Sequence, residues 1–240
     1  MACLERISPS RWVRPASFGR LKHAPGEFLP RHVHEVGFVT LVLSGRYVEA
    51  GDTGRHRAGP GDVLLHRSFE SHLDRIDRGG AEVLLIPITS DGFTHDIGHV
   101  SDPDAIVRIV ESAPEQAESA LLRRLLPKKV DALDWPDVLA RALRQDPSLR
   151  LCRWATEHGL ATGSVSRGFA QVFGLSPASF RLQQRTHRAI RSILAADGPL
   201  ATIAQDCGFA DQAHMARSVR RATGISASAL RVLGRPRDRC

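Results

Sequence analysis

The segments "WATEHGLATGSVSRGFAQVFGLSPASFR" (154–181) and "IAQDCGFADQAHMARSVRRATGISASALR" (203–231) are two copies of one pattern. Ala155 matches Ala204 and Gly159 matches Gly208 at an offset of 49, whereas Arg167 and Arg217, Gly174 and Gly224, and Arg181 and Arg231 match at an offset of 50. The second copy therefore carries one extra residue between its first glycine and its arginine. Each copy reads as two short helices joined by a tight turn. Leu151, Trp154, Ala155 and His158 follow the i, i+3, i+4, i+7 spacing ahead of Gly159, and Leu200, Ile203, Ala204 and Cys207 repeat it ahead of Gly208. The glycine suits the left-handed conformation that ends a helix, and the small alanine four residues earlier lets the next helix cross closely. Val165, Phe169, Val172 and Phe173, and in the second copy Met215, Val219 and Ala222, supply the buried face of that next helix. Its early polar residues are left outward. A helix-turn-helix of this kind places the start of its second helix in the DNA major groove. The octets "GLSPASFR" (174–181) and "GISASALR" (224–231) are expected to close each unit.

Between the copies, "LQQRTHRAIRSILAADG" (182–198) reads as one amphipathic helix through Leu182, Ala189, Ile190, Ile193 and Leu194. About fourteen residues span roughly 20 Å, a stiff spacer between two heads that would meet successive grooves about 34 Å apart. Charge points the same way. Residues 141–240 hold 16 Arg, no Lys and 6 acids, a net of +10, while residues 1–140 hold 17 basic and 20 acidic residues, a net of −3. Such asymmetry marks a polyanion-binding module beside a near-neutral one, and the guanidinium fork grips phosphate and guanine edges with paired hydrogen bonds.

Composition excludes other classes. A hydrophobic content of 42% over 240 residues supports a buried core, against disorder. No run of about 18 apolar residues is present, and the first twenty residues lack a secretory apolar stretch, so a cytoplasmic protein without membrane partners is expected. The four cysteines form no C-x-x-C pair, against a disulfide framework or a cysteine zinc site. Cys152 and Cys207 are expected as small buried apolar residues.

From about Ala16 to Ile88 the texture differs. "FVTLVLSGRYVEAG", "GDVLLHR" and "AEVLLIPI" read as strands, with tight turns at Ser44-Gly45, Gly51-Asp52 and Pro60-Gly61-Asp62, as in a small sandwich or barrel. From Asp102 helices take over in "DPDAIVRIVES", "PEQAESALLRRLL" and "DWPDVLARALRQ", each opening on an acid or proline. Strands followed by helices predict an α+β chain.

Residues 148–231 resemble the DNA-binding domain of the AraC/XylS transcription regulators. The resemblance is carried by Ala155, Gly159, Arg167-Gly168-Phe169, Gly174-Leu175-Ser176-Pro177, Arg185, Ala189 and Leu194, then by "IAQDCGFADQ" (203–212), Arg217 and Gly224. Val219 stands where the second copy usually has Phe, and Ala227 where it usually has Pro, which predicts a slightly looser second unit. The resemblance implies base contacts from Gly163, Ser166 and Arg167 in the first copy and from Gln212, Ala213, His214, Ala216 and Arg217 in the second. Gln212 suits adenine N6/N7 and Arg217 a guanine or a phosphate. Gly163 and Ala213 offer no side-chain hydrogen bond, and Arg167 could instead be architectural. Phosphate contacts are expected from helix N-termini and from Arg181, Arg185, Arg188 and Arg231. Double-stranded DNA and RNA polymerase are the implied partners.

The strand-rich half resembles a degenerate cupin barrel or jelly roll, the usual effector domain of those regulators. "GEFLPRHVHEVGFVTLVLSG" (26–45) fits the first cupin signature except that Phe38 replaces its Glu, and the second signature survives only as Gly61 and His72. His32 and His34 alternate with Val33 and so share one face of a strand, which His72 would approach from a neighbour. Three imidazoles could hold zinc or iron with an open position, or could line a metal-free effector pocket. His66, beside the motif, could substitute as a ligand, but is expected as an exposed strand-end residue. The expected organisation is a cupin-like effector domain at 1–95, a helical connector or homodimer surface at 96–146, and an all-α domain at 147–234 with two helix-turn-helix units and a linking helix. The function expected is a sequence-specific transcription regulator controlled by a small-molecule effector. The alternative is a cupin metalloenzyme of dioxygenase or isomerase type using the three histidines, against which stand the lost Glu and the absence of an obvious general acid or base beside them.

Overall fold

Two glycines meeting backbone to backbone set the shape of the N-terminal half. The computed structural model describes residues 18–90, 92–129, 134–146, 148–195 and 198–234. In it β3 (Phe38–Gly51) and β6 (Ser71–Pro87) pair antiparallel from Phe38 opposite Pro87 to Gly51 opposite His72. Midway, Gly45 at φ 72° faces Gly80 at φ 73°, and a Cβ on Gly45 would lie 2.1 Å from the Gly80 carbonyl oxygen. Register shifts between Val42 and Ser44 and between Gly45 and Tyr47 flank this contact, and such bulges bend a strand. On one side of the bend β1 (Gly19–His23), β5 (Asp62–His66), β7 (Ile97–His99) and β8 (Leu126–Pro127) extend the pair in the order β1-β6-β3-β5-β7-β8. On the other side β2 (Phe28–Val33) pairs with β6 and β4 (Gly54–Ala58) with β3. The result is the expected cupin-like, all-antiparallel roll.

Alternate residues of each strand face opposite ways, and two cores follow. Phe38, Val42, Tyr47, Leu64, Ile76, Val83 and Leu85 cluster on one face. Val39, Leu41, Val63, Leu65, Leu84 and Ile86 cluster on the other, covered by α1 (Pro103–Ser112) and α2 (Ala117–Arg124) through Ile106, Val107, Ala120 and Leu121. The Asp102 carboxylate caps α1 by accepting from the Ala105 amide at 3.0 Å, with Pro103 opening the helix. Strands β7 and β8 and helices α1 and α2, all within 96–146, thus belong to the sheet unit.

One expected turn is not a turn. Ser44-Gly45 lies inside β3, because a bulge and a tight turn call for the same left-handed glycine and only the partner strand tells them apart. The chain reverses at Asp52-Thr53, between the paired Gly51 and Gly54, and again at 59–62, where the Asp62 amide donates to the Gly59 carbonyl at 2.9 Å.

The C-terminal helices are α4 (Leu151–Glu157), α5 (Thr162–Phe173), α6 (Pro177–Ala195), α7 (Leu200–Asp206), α8 (Gln212–Thr223) and α9 (Ala227–Gly234), preceded by α3 (Trp135–Gln145). The duplication extends to individual hydrogen bonds. The Leu160 amide donates to Ala155 O at 2.8 Å and the Phe209 amide to Ala204 O at 2.9 Å, around Gly159 at φ 66° and Gly208 at φ 76°. The connection is 158–161 in the first copy and 207–211 in the second, so the extra residue sits in the turn. Trp154, Ala155, Val165, Phe169, Phe173 and Phe180 are buried in one unit, and Ile203, Ala204, Cys207, Met215, Val219 and Leu230 in the other. Phe169 meets Phe180 edge-on at 5.4 Å. Their counterparts Val219 and Leu230 are both smaller and both fully buried, at 0% and 1% exposure, so the lost Phe at 219 is matched by a lost aromatic partner at 230.

Each octet ends one helix and opens the next. Gly174, at φ 71°, ends α5, and Ser176 Oγ accepts from the Ser179 amide at 3.1 Å at the start of α6. Gly224, at φ 75°, ends α8, and Ser226 Oγ accepts from the Ala229 amide at 3.1 Å at the start of α9. Both octets therefore read as C-terminal glycine, then serine N-cap, then first helical residue. Pro177 and Ala227 occupy that first position, where a backbone donor is dispensable and either residue is tolerated. The linking helix starts five residues earlier than its apolar pattern suggests, and its 19 residues span about 28 Å.

Three further expectations fail on orientation. Cys207 is buried, but Cys152 is exposed, because Trp154 and Ala155 take the inward positions of α4; Cys3 and Cys240 lie outside the described residues. His158 is exposed, stacked on Trp154 at 3.9 Å. Val172 and Ala222 are half-buried. Among the described residues no helix is long and apolar enough to cross a membrane.

Replacing Gly45 with Ala should destabilise the roll by more than the about 1–3 kcal/mol that a positive φ alone costs, since its Cβ would collide with Gly80. Gly26→Ala, at φ 71° with nothing within 4 Å of the added carbon, should show the φ cost alone. Urea unfolding midpoints of the two variants check this, and equal shifts would remove the close approach as the cause.

Candidate functional site

Helices α5 and α8 carry the expected DNA-reading residues. Asp211 caps α8 by accepting from the His214 amide at 2.6 Å, while the equivalent residue of the first copy is Ala161. Gly163, Arg167, Gln212, Ala213 and Arg217 are exposed, and Ser166, His214 and Ala216 are half-exposed. The faces holding Val165 and Phe169, and Met215 and Val219, are buried. The offset of 50 adds two residues that the motif comparison passes over. Thr162 and Ser164, both exposed, are the counterparts of Gln212 and His214. Arg220 and Arg221 extend the basic, exposed surface of α8 into its last turn.

The two heads differ in one detail. The Arg167 guanidinium lies over Gly163, where a Cβ would be 3.3 Å from Arg167 Nη1. Ala213 fills the corresponding place in the second copy with its methyl group. His214 rests edge-on against the buried Phe209 ring at 5.3 Å, which orients its imidazole.

The arginines expected at phosphates also make contacts within the chain. Arg181 Nη2 donates to Leu149 O at 2.6 Å and Arg231 Nη2 to Gly198 O at 2.6 Å. Leu149 and Gly198 each stand two residues ahead of the first helix of their unit, so the last residue of each octet locks the base of its own unit. Arg188 Nη2 donates to Arg144 O at 2.5 Å. Arg185 packs on the second turn, where a Cβ on Gly208 would lie 3.5 Å from Arg185 Nε.

The histidines gather inside the roll. Rings of His32 and His34 are 4.7 Å apart, His32 and His72 4.4 Å, and His34 and His72 5.1 Å. Opposite expectation, His66 is buried at 4% exposure, 4.5 Å from His72, because Phe38, its cross-strand partner, stacks on it at 4.6 Å. Two acids not singled out in the sequence complete the cluster. Glu49 Oε2 is 3.7 Å from His66 Nε2, and Asp74 Oδ2 is 3.5 Å from His72 Nε2. Glu49 faces Asp74 across the β3–β6 ladder. The available signal was phase: Glu49 is two residues from Tyr47, so both point to the same face of β3.

Burial dominates the electrostatics. It holds His66 and His72 well below the usual imidazole range, with neighbouring imidazoles adding to the effect, and lowers His32. It raises Glu49 well above the carboxylate range, reinforced by Asp74, and pushes Asp74 up to about 8. Burial thus disfavours the charged form of each of these groups. Beside it Arg31 Nη2 pairs with Asp52 Oδ1 at 2.6 Å and donates to Ser71 O at 3.1 Å, while Nη1 donates to Ala50 O at 3.1 Å. This buried network ties the ends of β2, β3 and β6 together next to His32 and His72. The three expected histidines fit a metal, since one nitrogen from each lies within 4.8 Å of the others. His32 Nδ1 donates to Pro30 O at 2.9 Å, which leaves Nε2 as its ligating atom.

Residues 154–232 match a protein-family model described as a helix-turn-helix domain, a third of the chain. No curated protein matches it. Among solved structures the chain is similar to ToxT from Vibrio cholerae bound to unsaturated fatty acid, at 9% identity over 89% of this chain and 93% of that one, with a TM-score of 0.42. It is also similar to the C-terminal domain of AraT, a response regulator from Geobacillus stearothermophilus (22% identity, 40% and 84% covered, TM-score 0.35). A third is an AraC-type transcriptional regulator from Chromobacterium violaceum (20% identity, 41% and 90% covered, TM-score 0.38). At TM-scores this low none of the three bears on function.

Removing the Arg181 lock with Arg181→Gln should cost about 1.5–3 kcal/mol, the range for a hydrogen bond to a charged group, read as a lower urea midpoint. The slope of log affinity for a DNA duplex against log salt should stay unchanged. A slope reduced by about one, the signature of a lost phosphate contact, with unchanged stability would return Arg181 to the DNA backbone.

Proposed function

We propose that this chain, whose residues 154–232 match a helix-turn-helix domain, is a sequence-specific transcription regulator of the AraC type governed by a small effector bound in its sheet-rich half. The observation that carries the reading is the pair of recognition helices, α5 and α8, each burying one face and exposing Thr162, Gly163, Ser164 and Arg167 or Gln212, Ala213 and Arg217 toward its N-terminal end. Helix N-termini attract phosphate. Gln212 has the bidentate amide for adenine, and the exposed Arg217 has the fork for guanine. RNA polymerase is the machinery such a regulator would act on, two copies of the chain would read paired sites, and the cytoplasm is where it would work.

In the roll, His32, His34 and His72 are the proposed effector contacts, with His32 half-exposed at the edge of the cluster. The cluster serves sensing and not catalysis on this reading. A second effector position is favoured by a cavity of about 930 Å³ bordered by Arg46, Arg57, Tyr47 and Leu126. The Arg46 and Arg57 side chains have no hydrogen-bond partner among the described residues, so an anionic compound with an apolar body would suit them.

Fluorescence anisotropy with duplexes selected from a random pool tests the reading. Affinity should fall steeply with salt, and Arg217→Ala should cost about 1–3 kcal/mol on the selected site while leaving random DNA little changed. Equal losses on both would make Arg217 a phosphate contact, and no sequence preference in the native chain would end the regulator assignment. Gly163→Ala should raise the stability of the helical unit by about 0.5–1 kcal/mol yet weaken site-specific binding, because the added methyl lifts Arg167 from its place. Thermal unfolding and anisotropy on one sample separate the two effects.

A further inference from the structure

We propose that Glu49, His66 and His72 form a binding site for one divalent first-row transition metal, a two-imidazole, one-carboxylate triad inside the roll. One ligating atom from each lies within 4.8 Å of the other two. The three residues come from β3, the end of β5 and the start of β6, which are hydrogen-bonded neighbours, and they are only 4%, 4% and 6% exposed.

Room has been left for this constellation. Gly51 is in ordinary backbone conformation, so its glycine is explained by space and not by φ. A Cβ there would lie 3.4 Å from Glu49 Oε1 and 3.3 Å from His72 Cβ, crowding both ligands. Thr40 Oγ1 lies 3.1 Å from His66 Nε2 and Asp74 Oδ2 3.5 Å from His72 Nε2, contacts that fix the orientation of the two rings.

Two imidazoles and a carboxyl group converging in one dry interior form a donor set that a divalent ion would take up with release of the carboxyl proton. Arg31, a buried cation of this interior, is bonded to Asp52. Two imidazoles and a carboxylate suit the ions from iron(II) to zinc(II) and not magnesium or calcium, which prefer all-oxygen shells. Phe38 has replaced the carboxylate expected beside His32 and His34, and its ring sits 4.7 Å from His34 and 4.6 Å from His66. Glu49 returns a carboxylate to the interior from a different strand. His32 and His34 are then left at the rim of the metal centre. The assignment is independent of the DNA-binding reading.

The test uses the full chain, stripped with a chelator and titrated with Co(II) and Zn(II). Calorimetry should give one equivalent, and the Co(II) complex should show visible absorption in which imidazole ligation is resolved. Glu49→Gln, of the same shape, and His66→Gln should each weaken binding at least about 10- to 100-fold, the loss typical even of residues that only support a ligand. His23→Asn, at the end of β1 and outside the cluster, should bind within about threefold of the native chain, below the losses that mark a ligand or its support. Far-ultraviolet circular dichroism identifies variants that fold, and His66→Gln keeps the question decidable if Glu49→Gln does not. Native affinity in either folded triad variant, or no ion bound by the native chain, would overturn the assignment.

Discussion

A guanidinium donating to one backbone carbonyl holds each reading head at its base. Arg181 reaches Leu149 and Arg231 reaches Gly198 with the same length and at equivalent positions. Each bond joins the end of a unit to the residue pair ahead of its first helix, so the stretch between them is closed into a loop of fixed geometry. Within that loop the small Ala155 and Ala204 are buried at the crossing, and the left-handed Gly159 and Gly208 redirect the chain into the second helix. The outward face of α5 or α8 is what remains. Sequence specificity would therefore depend on residues that never approach a base, because they fix which side of each helix stays wet.

The duplication made most of this half legible. Offsets of 49 and 50 located the turns, the inserted residue and the buried faces before any coordinates, since helical periodicity and turn glycines are local signals. What escaped was non-local. A sequence shows the charge of Arg181 and Arg231 but not the carbonyls 32 and 33 residues away that accept from them. The octets looked like endings because a C-terminal glycine and a following N-cap serine merge into one short motif. Cys152 was assigned inward because a seven-residue helix has too few turns for its apolar phase to be unambiguous.

In the roll the same limit is sharper. Strand character and the His32–His34 alternation are visible along the chain, yet the cluster is built by register. Glu49 reaches Asp74 across the β3–β6 ladder, Phe38 reaches His66 across β3–β5, and His32 reaches His72 across β2–β6. Shifting that register by one residue would turn Glu49 to the other face of its strand. A sequence that names a bulge glycine as a turn cannot foresee which side chains meet beyond it. The shift of these side chains toward their uncharged forms is a consequence of burial and not of residue type.

Helix α6 belongs to both heads at once, running unbroken from the serine cap after α5 to the segment before α7. A turn can absorb one more residue, as 207–211 does relative to 158–161, because its slack is spent locally. A residue added within α6 has no such outlet. It would swing everything downstream by about 100° around the axis and 1.5 Å along it, and one head would face away from the groove while the other still met it. Length is therefore the quantity this rod must conserve, more strictly than the identity of almost any side chain along it.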